Sequence, residues 1–122
     1  MTTGATPFLT RWFAHLDSDE PDRVLDLISD DFAMSILFAS APGAAVEFVG
    51  DRDGLVAYLA QRARSTFVHV ILQGTQEAGI EQVLGKTTLD GAFAASFNAT
   101  AQVVDGRLRR LLIARTPALT FD

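Results

Sequence analysis

The chain has 122 residues, 48% of them hydrophobic and 20% charged, with a net charge of -5 and no cysteine. A domain of this length buries roughly 65% of its unfolded surface, so it forms a real core and is neither disordered nor fibrous. Basic residues are scattered except at Arg107, Arg109 and Arg110, which argues against nucleic-acid binding; the missing cysteines exclude disulfides, thiolate chemistry and cysteine-bound metals; and apolar runs such as Leu111 to Ala114 fall far short of the ~20 residues of a membrane span.

Met1 to Ala5 carries no positive charge and leads into no apolar stretch, so a short flexible N-terminus without a secretory signal is expected, in a cytoplasmic protein. Thr6 as cap and Pro7 at the first position then start a helix whose apolar face is Phe8, Leu9, Trp12, Phe13 and Leu16. The polar stretch Asp17 to Glu20 breaks it, and Pro21 opens a short second helix with Val24, Leu25, Leu27 and Ile28 buried. Asp30-Asp31 ends that helix, and Phe32 to Ala39 reads as a strand. Ala41-Pro42-Gly43 turns the chain into a short strand at Val46 to Val49, and Asp51 caps a third helix that buries Leu55, Val56, Leu59 and Ala63.

From Thr66 onward the periodicity changes. Phe67 to Leu72 is a β-branched run, and Glu77-Ala78-Gly79, Asp90-Gly91 and Asp105-Gly106 punctuate strands at Glu81 to Leu89, Ala92 to Val104 and Leu108 to Thr116. Helices gathered early and a meander of strands late predict one α+β domain over 6–122, a curved antiparallel sheet wrapped around three helices. Along Ala92 to Val104 the burial rule turns Phe93, Ala95, Phe97, Ala99, Ala101 and Val103 towards the helices and Ser96, Asn98, Thr100 and Gln102 outward.

The order of these elements resembles the nuclear transport factor 2-like superfamily, and within it the SnoaL-like group of small bacterial proteins. The motifs that carry the likeness are Ser29-Asp30-Asp31-Phe32 leading into the first strand, Phe48-Val49-Gly50-Asp51-Arg52 before the third helix, and Asp105-Gly106-Arg107-Leu108 at the last hairpin. The resemblance implies a cone-shaped fold with a cavity between helices and sheet, and frequent homodimerisation through the sheet's other face. Members include isomerases, cyclases, epoxide hydrolases and plain binding proteins, so fold alone does not set function.

Ketosteroid isomerases of the superfamily use an aspartate base, a tyrosine and a second acid. The ungapped comparison puts Ile36, Trp12 and Thr100 at those positions, and none can do the work. That comparison also favours Asn98 and Thr100 inside the pocket, against the burial rule. Epoxide hydrolases need an Asp-Arg-Asp set, and beside Arg109, Arg110 and Arg115 the long strands offer only Glu81, Asp90 and Asp105. SnoaL-type cyclases need an acid–base residue in the cavity, for which His69 is the candidate; the simpler reading is a hydrogen-bonded structural histidine.

Arg115 shares a strand face with Leu111 and Ile113 and stands either at the cavity rim, where it would grip an anion, or in a salt bridge or at a solvated strand end. The expected pocket is walled by Trp12, Phe13, Phe32, Ile36, Tyr58, Phe97 and Ile113, with His69 and Arg115 as polar anchors. Its ligand would be a flat hydrophobic molecule, either one with an acid group or a polyketide- or terpene-like ring. The competing reading is a non-catalytic structural dimer or accessory subunit whose cavity is filled by its own side chains. No cofactor is expected. No metal is expected either: Asp17-x-Asp19 lacks the glycine and closing glutamate of a calcium loop, and His15 and His69 stand far apart. Asn98-Ala99-Thr100 is a chance glycosylation triplet.

Overall fold

A computed structural model describes residues 5–41, 43–61 and 67–121. Residues 1–4, Pro42 of the expected turn, Ala63 of the expected third-helix face and Thr66 lie outside them. The elements are α1 (Pro7–Leu16), a 3-10 helix (Pro21–Leu27), β1 (Ile28–Ala41), β2 (Ala44–Asp51), α2 (Arg52–Gln61), β3 (Phe67–Glu77), β4 (Ile80–Leu89), β5 (Ala92–Val104) and β6 (Arg107–Thr116).

Six strands form one curved, unclosed sheet in the order β2-β1-β6-β5-β4-β3. The expectation of an antiparallel sheet holds for four of its pairings and fails for the fifth, since β1 and β6 run parallel. The reason is topological. The β1–β2 hairpin and the β3-to-β6 meander are joined through α2, and a crossover of that kind lets the last strand lie beside the first in the same direction.

The meander follows from three two-residue turns of one kind. Ala78-Gly79, Asp90-Gly91 and Asp105-Gly106 all hold positive φ, between 51° and 84°, the geometry that matches the twist of a tight hairpin. After the last of these, Val103 pairs with Leu108 but Gln102 pairs with Arg110, leaving Arg109 as an extra residue. That bulge lets Leu108, Leu111 and Ile113 all bury on the inner face, where strict alternation would have turned Leu108 away from the other two.

Two local expectations are corrected. Thr6 occupies the N-cap position of α1 but makes no capping bond. The cap comes from β4 instead: buried Glu81 accepts the Phe8 N–H at 3.1 Å and the Leu9 N–H at 2.9 Å. The first strand also begins at Ile28 rather than Phe32. Its polar start is held because Asp31 accepts Arg109 Nε at 2.9 Å and the Asp31 carbonyl accepts Arg110 Nη1 at 2.7 Å. Arg109, and then Ser29, hold the Asp31 carboxyl below its usual value. This contribution is present above the unfolded carboxylate range and is lost as pH falls through the lower folded value.

On β5 most of the apolar set faces inward: Ala95, Phe97, Ala99 and Ala101 are buried and Asn98 is exposed, so over this stretch the burial rule is right and the ungapped comparison is overturned. Phe93 is the exception at 40% exposed, because Thr87 pairs with Ala95 and Thr88 with Phe93, and the extra residue Ala94 breaks the alternation. Ser96, on the outer face, is nonetheless buried because its hydroxyl donates to the Leu119 carbonyl at 2.6 Å, beneath the C-terminal segment. The core joins α1, the 3-10 helix, α2 and the inner sheet face through Leu9, Val24, Phe32, Leu55, Leu108 and Leu111.

Candidate functional site

A cavity of about 300 Å³ opens between α1, α2 and the inner faces of β1 and β3 to β6. Trp12 and Phe13 come from the apolar face of α1, Tyr58 from α2, Ile36 from β1, Phe97 from β5 and Ile113 from β6; with His69 and Arg115, all of them line it. Phe32 does not. It is buried behind the wall, its ring stacked on Trp12 with centroids 6.1 Å apart, because inward positions near the start of β1 lie under the helices and not at the mouth. Trp12 itself is 2% exposed, and its indole N–H is the one buried side-chain polar atom without a hydrogen bond among the described residues.

His69 is fixed from three directions. Asp17, at the C-cap of α1, takes the His69 backbone N–H on one oxygen at 2.7 Å and Nδ1 on the other at 2.7 Å. The ring stacks on Phe13 at 4.6 Å and meets the edge of Phe97 at 5.5 Å. A carboxylate on Nδ1 holds a proton there, so in the neutral ring it is Nε2 that carries the lone pair. Among the described residues Nε2 makes no hydrogen bond, and it is not sealed inside the protein.

Asp17 is the residue sequence reading missed. It appeared as part of a polar break and of a rejected calcium-loop pattern, yet a carboxylate at a helix C-terminus opposes the helix dipole. That local conflict is a readable signal that some other group holds the acid in place, though the sequence does not say which.

Arg115 is half-buried at the same corner. Its Nη2 lies 3.4 Å from Thr87 Oγ1, and its guanidinium sits over the Phe67 ring at 5.4 Å. Thr87 stands directly across from His69 in the β3–β4 ladder, and Phe67 is two residues before it on the same face. The dyad and the cation are therefore neighbours, since side chains at opposite ladder positions have Cβ atoms about 4.5–5.5 Å apart. No carboxylate pairs with Arg115 among the described residues, which sets aside a salt bridge as its role there. Burial lowers its pKa, with Tyr58 acting weakly the other way. A guanidinium stays charged regardless, so the shift records an interaction that folding leaves unfavourable and that a bound anion would relieve.

A second, larger groove of about 880 Å³ lies at the other end of the sheet, between the 3-10 helix, the start of β1 and the β5–β6 turn. It is open, and its three arginines are engaged: Arg109 on Asp31, Arg107 on the Asp26 carbonyl and Arg52 on the Leu25 carbonyl. Among the described residues no group of three acids or histidines is close enough to hold a metal. No described helix is long and apolar enough to cross a membrane.

No protein-family model and no curated protein matches the sequence. Solved structures do match. A protein from Kribbella flavida provisionally described as a ketosteroid isomerase superposes with a TM-score of 0.70 at 13% identity, covering 99% of this chain and 84% of that one. A SnoaL-like polyketide cyclase, provisionally so described, from Jannaschia sp. CCS1 gives 0.66 at 16% identity, covering 93% and 85%. A hypothetical protein of ketosteroid isomerase-like fold from Catenulispora acidiphila, in complex with trimethylamine, gives 0.66 at 14% identity, covering 89% and 85%. Identities this low establish architecture and nothing finer. The resemblance drawn from the order of the elements is borne out at that level: the chain has the nuclear transport factor 2-like fold.

Proposed function

We propose that this chain binds a small, flat, hydrophobic acid in the cavity, with the acid group on Arg115. The observation that carries the reading is a half-buried cation without a carboxylate partner among the described residues, set in a largely apolar wall. An arginine fork matches a carboxylate in shape and charge, and the aromatic rings of Trp12, Phe13 and Phe97 offer flat surfaces to a ring. The open volume supports this over a structural subunit with a filled cavity. Neighbours described as isomerase- and cyclase-like support a role of that kind.

The test is a thermal-shift panel of aryl acids, steroids and ring ketones. An acid at a hundredfold above its Kd adds about 2.7 kcal/mol of stability, and Arg115→Ala should remove most of that gain. A panel in which neutral ketones bind and acids do not would overturn the acid reading.

The outer face of the sheet supports a homodimer. Val49 and Leu112 flank Ser35 from either side, Leu37 follows on the same face, and the three apolar side chains are 68%, 54% and 44% exposed. Apolar patches of this kind are uncommon on monomers. Sedimentation at micromolar concentration should give a dimer that Leu112→Lys dissociates; a wild-type monomer would contradict it.

A further inference from the structure

Resting on the acid-binding reading above, we infer that Phe97, seated over Gly85, selects which acids enter: the ligand carries a single aromatic ring on a short acid chain, and larger ring systems are refused. At this level a row crosses three strands on the inner face of the sheet. Gly85 of β4 stands opposite Phe97 of β5, and Phe97 stands opposite Arg115 of β6. The ring and the cation are therefore neighbours, and the direction in which the ring lies decides how much room remains beside the cation.

The ring lies towards β4. A Cβ placed on Gly85 would stand 2.6 Å from Phe97 Cε2 and closer still to Cζ, so the end of the ring fills the space where a side chain would be. No turn geometry asks for this glycine. Gly43, Gly79, Gly91 and Gly106 hold positive φ, and Gly85 is not among them. A glycine inside a strand weakens it and marks a place where another group approaches closely. Here that group is the Phe97 ring, and the glycine supplies its recess. Phe13, tilted against the ring at 5.0 Å, and His69, meeting it edge-on at 5.5 Å, hold it there from the α1 and β3 sides. Turned the other way, the ring would lie beside Arg115 and fill the cavity where the acid binds.

The room left open is about 300 Å³. Packed to the density of a protein interior, about 0.74, it takes roughly 220 Å³ of ligand atoms. A benzene ring on a short acid chain fits within that, and a fused four-ring skeleton does not. With the carboxylate on half-buried Arg115, the ligand's ring points inward, against the wall that Phe97 forms with Phe13 and Trp12.

The probes are 3-phenylpropanoate and 3-(2-naphthyl)propanoate, which share acid and chain and differ by one fused ring. Each is titrated calorimetrically into wild type, Phe97→Ala and Gly85→Ala. The wild type should bind the phenyl acid at least about tenfold more tightly, the low end of what one methylene decides in a hydrophobic pocket. Phe97→Ala removes the wall, and the naphthyl acid should then be preferred by at least about tenfold, its second ring filling the space vacated. A merely structural role for Phe97 would weaken both acids alike and leave their order unchanged. Gly85→Ala drives the ring towards the cation and should weaken the phenyl acid at least about tenfold, with Phe97→Leu on the same background regaining most of the loss.

If the phenyl acid binds wild type but the naphthyl acid binds as tightly, or if Phe97→Ala leaves the order unchanged, the selection proposal is overturned and the acid-binding reading stands. If neither acid binds the wild type, both are overturned. A folded Gly85→Ala that binds the phenyl acid like wild type would overturn the part assigned to the glycine. Circular dichroism checks each fold. Should Phe97→Ala fail to fold, Phe97→Leu repeats the comparison, and a preference that does not narrow overturns the proposal.

Discussion

Gly85→Ala is expected to destabilise the fold by about 3 kcal/mol, at the upper end of the range for overpacking a tight core. Gly85 lies on the inner face of β4, directly opposite Phe97 in the β4–β5 ladder. The Phe97 ring lies back over it, so an added Cβ would stand 2.6 Å from Phe97 Cε2 and 2.7 Å from the Val70 carbonyl oxygen. The carbonyl belongs to the neighbouring strand and cannot retreat without breaking the ladder. The ring can move only into the cavity or against Phe13, 5.0 Å away between centroids. Urea denaturation measures the loss. Pairing it with Phe97→Leu should recover part of it, since residues in contact do not add independently. An unchanged midpoint would mean that the ring yields freely and is not a fixed wall.

Glu81→Ala is expected to be about as damaging, at about 2–4 kcal/mol, through polar groups left without partners. Glu81 is 1% exposed and its two oxygens end the backbone of α1 at Phe8 and Leu9. The first turn of a helix has N–H groups with no internal partner, and Thr6 does not supply one from its side chain. Removing the carboxylate orphans two donors, leaves a small void and withdraws a negative charge from the positive end of a helix dipole. Glu81→Gln keeps one acceptor and should lose roughly half as much. If urea midpoints for alanine and glutamine coincide with wild type, water has replaced the cap and α1 is not held from β4.

These two residues mark where sequence reading stops. Local signals carried the elements well: Pro7 before an apolar face, Asp51 before α2 with its oxygen 3.0 Å from the Gly54 N–H, and three X-Gly turns that space the meander. Alternation along β5 placed Phe97 inward without help from any other strand. Partners distant in sequence were not legible. Glu81 read as a spare strand carboxylate, although it caps a helix more than seventy positions earlier. Asp17 read as a turn residue, although it grips His69 on another element. The parallel β1–β6 pair was missed for the same reason, because hydrophobic alternation fixes which face a strand buries and not the direction of its neighbour.

In the site, the residue types that wall the cavity were readable because burial selects them. Strand periodicity put Arg115 on the face of β6 that carries Ile113, but whether that placed it at the cavity mouth, in a salt bridge or at a solvated strand end was not legible. Phe32 was assigned to the wall by the same rule and lies behind it. Periodicity reports the inward side of a strand but not how far along the strand a helix covers it.

The claim that an anion sits on Arg115 is tested most directly by titration calorimetry with 3-phenylpropanoate and its neutral primary amide, on wild type and on Arg115→Ala. The two ligands share size and ring and differ only in the one end group, an anionic pair of acceptors against a neutral amide. If the cation is an anchor, the acid should bind wild type at least about tenfold more tightly than the amide, a difference of about 1.4 kcal/mol, and the preference should vanish in Arg115→Ala. Equal affinities of acid and amide for wild type, or a preference that survives the substitution, would contradict the account.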